Sequence, residues 1–204
     1  GQLPWRPDRL DDLSYAPFRT TVAGLLRHSG GMRVDHIMGL FRLWWIPKGL
    51  PPTKGTYVRY NHEAMVGILA LEAHRAGALI VGEDLGVVEP WVREYLRERG
   101  ILGTSIAWFE NDAEGRPLPP EQWREYCLAS VTTHDLPPTA GYLAKDHIRL
   151  QSELGLLTEP LETELETADR EQAAFIDFLR GQGFLTEPEP STEQIVLALH
   201  RYLA

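Results

Sequence analysis

Ala78-Leu79-Ile80-Val81-Gly82-Glu83-Asp84 is a continuous apolar run of strand length that stops abruptly on two acids. Continuous runs belong to strands covered on both faces, as in parallel sheets, whereas a strand with one wet face alternates. Helix signals flank the run. Upstream, Asn61 stands where an N-cap belongs and Glu63 sits in the first turn. Met65, Ile68, Leu69 and Ala73 then recur at helical spacing up to Gly77. Downstream, Pro90 occupies a first helical position and Gly100 the position just past the end, with Val92, Tyr95 and Leu96 as the stripe between them.

The alternation continues in both directions. Phe18, Val22, Leu25 and Leu26 predict a helix over 17–28, ended by Gly30-Gly31, and 32–38 predicts a strand closed by Gly39. Further strands are expected at 103–109 and 127–132. Helices are expected at 139–152, 168–180 and 192–203, the last opened by the capping-box pair Ser191 and Gln194. Residues 1–16 read as a surface loop. Residues 40–60, rich in Trp and Pro, read as a long structured loop with a short hairpin near Gly55, and 157–167 as an acidic linker or first turn. Strands alternating with helices, without repeats or low-complexity tracts, define the α/β class with a parallel sheet buried on both faces.

Composition narrows the partners. The 204 residues carry 20 basic and 29 acidic side chains, a formal charge of −9. That balance argues against nucleic acid or an anionic membrane, which need clustered Lys and Arg, and is neutral toward sugars. A single cysteine, Cys127, excludes an internal disulfide framework and fits the cytoplasm. No apolar run approaches the ~18 residues of a membrane span. The chain begins Gly1-Gln2-Leu3-Pro4-Trp5 without an initiator Met or a basic leader, so it is expected to start inside a longer product.

Three predicted strands end in acids: Arg33-Val34-Asp35-His36, Gly82-Glu83-Asp84 and Thr133-His134-Asp135. In parallel α/β sheets the carboxyl ends of the strands are where ligands bind. Each acid has a plainer explanation: a helix N-cap, an Arg33–Asp35 structural pair, or a satisfied core histidine for His134. Glu83 resists it, because Glu caps poorly and Asp84 beside it is available. Carboxylates with neighbouring Arg, His and Trp and no phosphate loop fit cleavage of glycosidic bonds, which needs a proton donor and an anionic nucleophile. Trp44, Trp45 and Trp108 are candidates for stacking on sugar faces. A metal-dependent barrel hydrolase with Asp35, His36, His134 and Asp135 as ligands is the competing chemistry. Against it, no strand carries two alternating histidines, and on a strand His36 points away from Asp35.

Arg33-Val34-Asp35-His36-Ile37-Met38-Gly39, Trp45-Ile46-Pro47, Gly82-Glu83-Asp84-Leu85-Gly86 and Thr133-His134-Asp135 resemble, in order, the motifs of the amylomaltases, the 4-α-glucanotransferases of glycoside hydrolase family 77. Thr132-Thr133-His134-Asp135-Leu136-Pro137-Pro138-Thr139 is similar to an actinobacterial-type branch and lacks the Asn-Asp pair that commonly follows the aspartate. The resemblance implies a partial (β/α)8 TIM barrel, roughly strands four to seven with their helices. On that basis 1–204 is one partial catalytic domain, a fragment of a larger enzyme. It implies a retaining double displacement on malto-oligosaccharides and α-1,4-glucans with no metal or organic cofactor. Asp35 matches the nucleophile, Glu83 the general acid/base and Asp135 the second, transition-state aspartate. Arg33 and His134 match substrate-binding positions. A glucan-binding remnant without activity is the alternative, and the fragment alone is expected to fold poorly and turn over little, since an open half barrel leaves strand edges unpaired.

Overall fold

The structure, a computed structural model, describes residues 3–204. The chain divides into two compact units: one runs up to Thr104 and includes Tyr126–Leu128, and the other comprises Ser105–Glu125 and Ala129–Ala204. Among the described residues no helix is long and apolar enough to cross a membrane.

The first unit contains α1 (Pro7–Asp12), α2 (Ala16–Leu26), β1 (Gly31–Val34), β2 (Arg42–Trp45), β3 (Thr56–Arg59), α3 (His62–Ala76), β4 (Leu79–Gly82) and α4 (Pro90–Arg97). It also holds the start of β5 (Ile101–Ile106) and of β6 (Cys127–Ser130). The strand order is β1-β4-β5-β6, with β1 and β4 parallel from Gly31↔Leu79 to Val34↔Gly82 and β4 parallel to β5. β2 and β3 form a separate antiparallel hairpin, inside the segment expected to be a structured loop.

Helix α3 forms on the predicted signals. The Asn61 side chain accepts the Ala64 N–H, and Gly77 closes the helix at φ +61°, where a side chain would be strained. Its apolar face, Val66, Leu69 and Ala73, joins Val22 and Leu26 of α2, Ile80 of β4 and Val92 and Leu96 of α4 in one core.

Three expectations for this unit need correction. Residues 7–12 are helix, not loop, because Pro7 sits at a first-turn position and Leu10 buries itself against Tyr15, Tyr60 and Met65. The strand expected over 32–38 stops at Val34. His36 turns the chain with φ +44°, and Ile37–Leu40 form a 3-10 turn that drives Ile37 into the core. The sheet is not covered on both faces: Leu79 is 63% exposed and no residue of β1 is fully buried. The apolar pattern of these strands exceeds the cover that this chain supplies.

The second unit contains α5 (Thr139–Leu143), α6 (Asp146–Glu153), α7 (Leu161–Gly181) and α8 (Thr192–Leu203). Its core gathers Ala107, Val131, Phe175, Leu179, Leu199 and Tyr202. α8 carries the predicted capping box, Ser191 accepting from Gln194 and returning the bond. The single helix expected over 139–152 is two helices, broken where Lys145 turns left-handed at φ +61° and places its Nζ 2.6 Å from Asp169 Oδ1. α7 begins at Leu161 rather than 168, since Glu162 and Glu164 in its first turn complement the helix dipole. The Tyr202 hydroxyl donates to Leu118 O (2.5 Å) and accepts from Trp123 Nε1 (2.8 Å), and burial pushes this phenol up to about 12.

Gly82 fixes how closely the 3-10 turn approaches β4. A Cβ there would lie 2.4 Å from Ile37 Cδ1 and 3.1 Å from Ile37 Cγ2. Gly82→Ala is expected to lower stability by about 1–3 kcal/mol. Adding Ile37→Val, which removes Cδ1, should recover part of the loss. Thermal unfolding of the two single variants and the double one checks the coupling.

Candidate active site

The register of β1 on β4 puts Asp35 and Glu83, the residues after Val34 and Gly82, at neighbouring strand tips. Backbone pairing continues one step past the strands. Glu83 N–H donates to Val34 O (2.9 Å), and Ile37 N–H donates to Glu83 O (3.0 Å). The Glu83 carboxylate is held on both oxygens: Oε2 accepts the His36 N–H at 2.9 Å and Oε1 the Leu85 N–H at 2.7 Å. The left-handed backbone of His36 aims that N–H at Glu83, so the turn after Asp35 positions the acid on the next strand. His36 therefore lies in a turn and not on a strand, which replaces the strand-based expectation for its direction.

Asp35 is exposed at the rim, and Arg33 Nη1 lies 2.6 Å from its Oδ1. Asp35 follows directly on β1, and a spacing of two in extended chain brings it to the side of Arg33. Asp84 behaves differently from its neighbour. It is 2% exposed, accepts the Thr104 N–H at 2.9 Å and lies 3.4 Å from Arg93 Nε. It does not cap α4, whose N-cap is Glu89; it ties the β4 tip to β5 and to α4. Sequence reasoning gave Asp84 only a capping role, and the run of acids offers no signal of burial.

A cleft of about 970 Å³ opens beside Asp35 and His36, walled by Trp5, Trp44, Trp45 and Tyr60. Trp44 is half-exposed, with its indole N–H donated to Pro52 O at 3.0 Å. Tyr60 donates its hydroxyl to Trp5 O at 2.7 Å, which draws the N-terminal segment onto the cleft. Trp5 was not singled out from the sequence, because its Pro-rich surroundings carry no periodicity.

In the second unit, His134 and Asp135 lie in the turn that follows β6. His134 Nε2 is 3.3 Å from Asp135 Oδ2, and both side chains are exposed. His134 is thus no core histidine. The turn is braced by Asp135 N–H to Thr133 Oγ1 (3.3 Å) and Thr132 Oγ1 to Pro137 O (3.0 Å). Trp108, a stacking candidate from the sequence, belongs instead to this unit's core, stacked on Tyr142 at 4.5 Å and tilted against Phe175 at 5.1 Å.

A parallel α/β sheet with acidic side chains at its carboxyl tips and an aromatic-walled cleft beside them defines the class of α/β proteins that meet their ligands at strand ends. Within that class the chain belongs to glycoside hydrolase family 77, the 4-alpha-glucanotransferases, whose family model matches residues 1–204. It is 65% identical over 208 residues to the 4-alpha-glucanotransferase of Mycobacterium tuberculosis H37Rv, covering 100% of this chain and 29% of that protein. It is 33% identical to that of Haemophilus influenzae, covering 98% of this chain and 28% of the relative. The chain thus spans under a third of the length of these relatives. The crystal structure of amylomaltase from Corynebacterium glutamicum superposes with a TM-score of 0.91 at 45% identity, over 99% of this chain and 30% of that one. The Streptococcus agalactiae amylomaltase in complex with acarbose shares the fold, with a TM-score of 0.68 at 16% identity over 97% of this chain and 35% of its own.

Asp84→Asn keeps an acceptor for Thr104 but turns an amide toward Arg93. It is expected to cost about 1–3 kcal/mol, the range for disturbing the hydrogen bonding of a buried polar group, since Arg93 itself is half-exposed. Chemical denaturation measures it.

Proposed function

We propose that this chain is part of a 4-α-glucanotransferase and supplies roughly strands four to seven of its (β/α)8 barrel, with β1, β4, β5 and β6 in those places. The observation that carries this reading is the hold of the His36 N–H on Glu83, which fixes that carboxylate at the strand tip adjoining that of Asp35, and Asp35 lines an aromatic cleft. The substrates are malto-oligosaccharides and α-1,4-glucans, and the site of action is the cytoplasm. The chemistry calls for no metal or organic cofactor.

In this mechanism Asp35 attacks the anomeric carbon as the bond to the leaving glucan oxygen breaks, and protonated Glu83 gives that oxygen its proton. A glucosyl ester on Asp35 results. Glu83, now a base, takes the proton from the 4-hydroxyl of an acceptor glucan, whose oxygen displaces Asp35 and restores the starting state. Backbone N–H groups occupy two of the roughly four lone-pair sites of the Glu83 carboxylate, leaving the others for the travelling proton. Arg33 steadies the Asp35 carboxylate, and Asp135 with His134 binds sugar hydroxyls. Trp44 and Trp45 offer flat apolar faces that favour a sugar over water as acceptor.

Incubating the protein that carries this chain with maltotriose should yield glucose and a ladder of longer oligosaccharides. Asp35→Asn and Glu83→Gln should each lower the rate by about 10³-fold or more while leaving the fold intact by circular dichroism. Release of only shorter sugars, or binding without redistribution, overturns the proposal.

The 204 residues alone form, on this reading, an open sheet. β1 has no partner on its outer side in the described sheet, and Leu79 is exposed beside it. Expressed by themselves they are expected to self-associate in size-exclusion chromatography, since unpaired edges template further pairing. A monodisperse monomer would count against the open-barrel assignment.

A further inference from the structure

The turn that carries His134 and Asp135 has few anchors of its own. It leaves from Val131, which is buried in the core of the second unit, and the next buried side chain is Ile148 on α6. Everything between the two is exposed or only partly covered. α5, which follows the turn, has no side-chain cap at its start and no buried residue. A helix of five residues is also too short to hold itself by its own hydrogen bonds. The far end of the turn needs an anchor from outside.

Tyr142 supplies it. Its ring stacks on Trp108 with centroids 4.5 Å apart, and on His147 at 5.1 Å with the planes 5° from parallel. Trp108 is itself well supported. It follows Ala107, which is fully buried and donates its N–H to Ser130 O at 3.0 Å, and it leans on Phe175 of α7 at 5.1 Å. The support therefore stands on the exits of β5 and β6, the place from which the turn departs. The backbone is tied at the same residue, since Gln172 Nε2 donates to Tyr142 O at 3.0 Å. The stack is uncharged at neutral pH: burial and the nearby Glu171 push the Tyr142 phenol up, and burial pushes the His147 imidazole down.

We propose that Tyr142 is a positioning residue, whose stack on Trp108 and His147 holds the turn so that Asp135 and His134 meet the sugar. The inference rests on the proposed glucanotransferase function and adds to it a residue that acts through the turn. The contact is one of ring faces, which phenylalanine shares and leucine lacks.

A displaced Asp135 loses contacts that matter most in the transition state, so kcat falls more than KM rises. Tyr142→Leu should lower kcat on maltotriose about 10- to 100-fold, the scale of a misplacement near 1 Å. Tyr142→Phe should recover most of that loss. His147→Ala, which removes one partner of the stack from a partly covered position, should lower kcat by less, and it carries the test if the leucine variant does not fold. Wild-type kcat in whichever of these two folds, or equal losses in Tyr142→Leu and Tyr142→Phe, would overturn the proposal. Amide hydrogen exchange reads the hold without turnover, at the Asp135 and Leu136 N–H groups that bond to Thr133. Faster exchange there in the folded leucine or alanine variant than in wild type supports the proposal even if maltotriose proves not to be a substrate, and unchanged exchange refutes it.

Discussion

The tip of β4 is fastened to the turn after β1 by hydrogen bonds that continue beyond the ladder, and the candidate site depends on this fastening. Glu83 gives its own N–H to Val34, takes the Ile37 N–H on its carbonyl and takes the His36 N–H on its carboxylate. These bonds require the chain to leave β1 sharply, which is why His36 accepts a left-handed backbone that costs a non-glycine residue on the order of 1 kcal/mol. The turn also sends Ile37 into the core, against a position on β4 where only glycine leaves room. Packing and polar geometry are thus settled at one place: Ile37 anchors the turn, and the anchored turn presents the amide that orients Glu83.

The adjacent acids on β4 divide two tasks that one residue would perform poorly. Asp84 points inward, is buried and satisfies the Thr104 N–H, so it holds the strand tip rigid. Glu83 points outward, only partly buried, with lone pairs to spare. Opposite directions for successive side chains are a property of extended backbone. A rigid support under a partly accessible carboxylate is what positioning for catalysis asks of a scaffold.

Much of this arrangement was legible in the sequence where a local rule acts alone. The Asn61 cap with Glu63 and Gly77, the Ser191–Gln194 box and the side shared by Arg33 and Asp35 are decided within a few residues, and the structure agrees with each. The parts that were not legible depend on partners distant in the chain. Helix α1 buries one apolar residue, Leu10, against Tyr60 and Met65, so its own six residues carry no periodic signal. The break at Lys145 is matched by Asp169, far along the chain on α7. Trp108 reads like Trp44 in composition, yet one belongs to a core cluster and the other to a cleft wall.

The aromatic hairpin segment then takes on a reason beyond covering the core. Its two strands place Trp44 and Trp45 on the cleft that holds Asp35, and Arg42 and Arg59 on a second pocket that holds Trp91. One short antiparallel ribbon, only four residues per strand, therefore furnishes walls to both cavities, which Tyr60 joins as the common residue. A flexible loop would have to be ordered by each ligand it met, at a cost of about 1–2 kcal/mol for every residue fixed. The hairpin has met that cost in folding, so contacts to a ligand in the cleft are available as binding energy instead of being spent on ordering the chain.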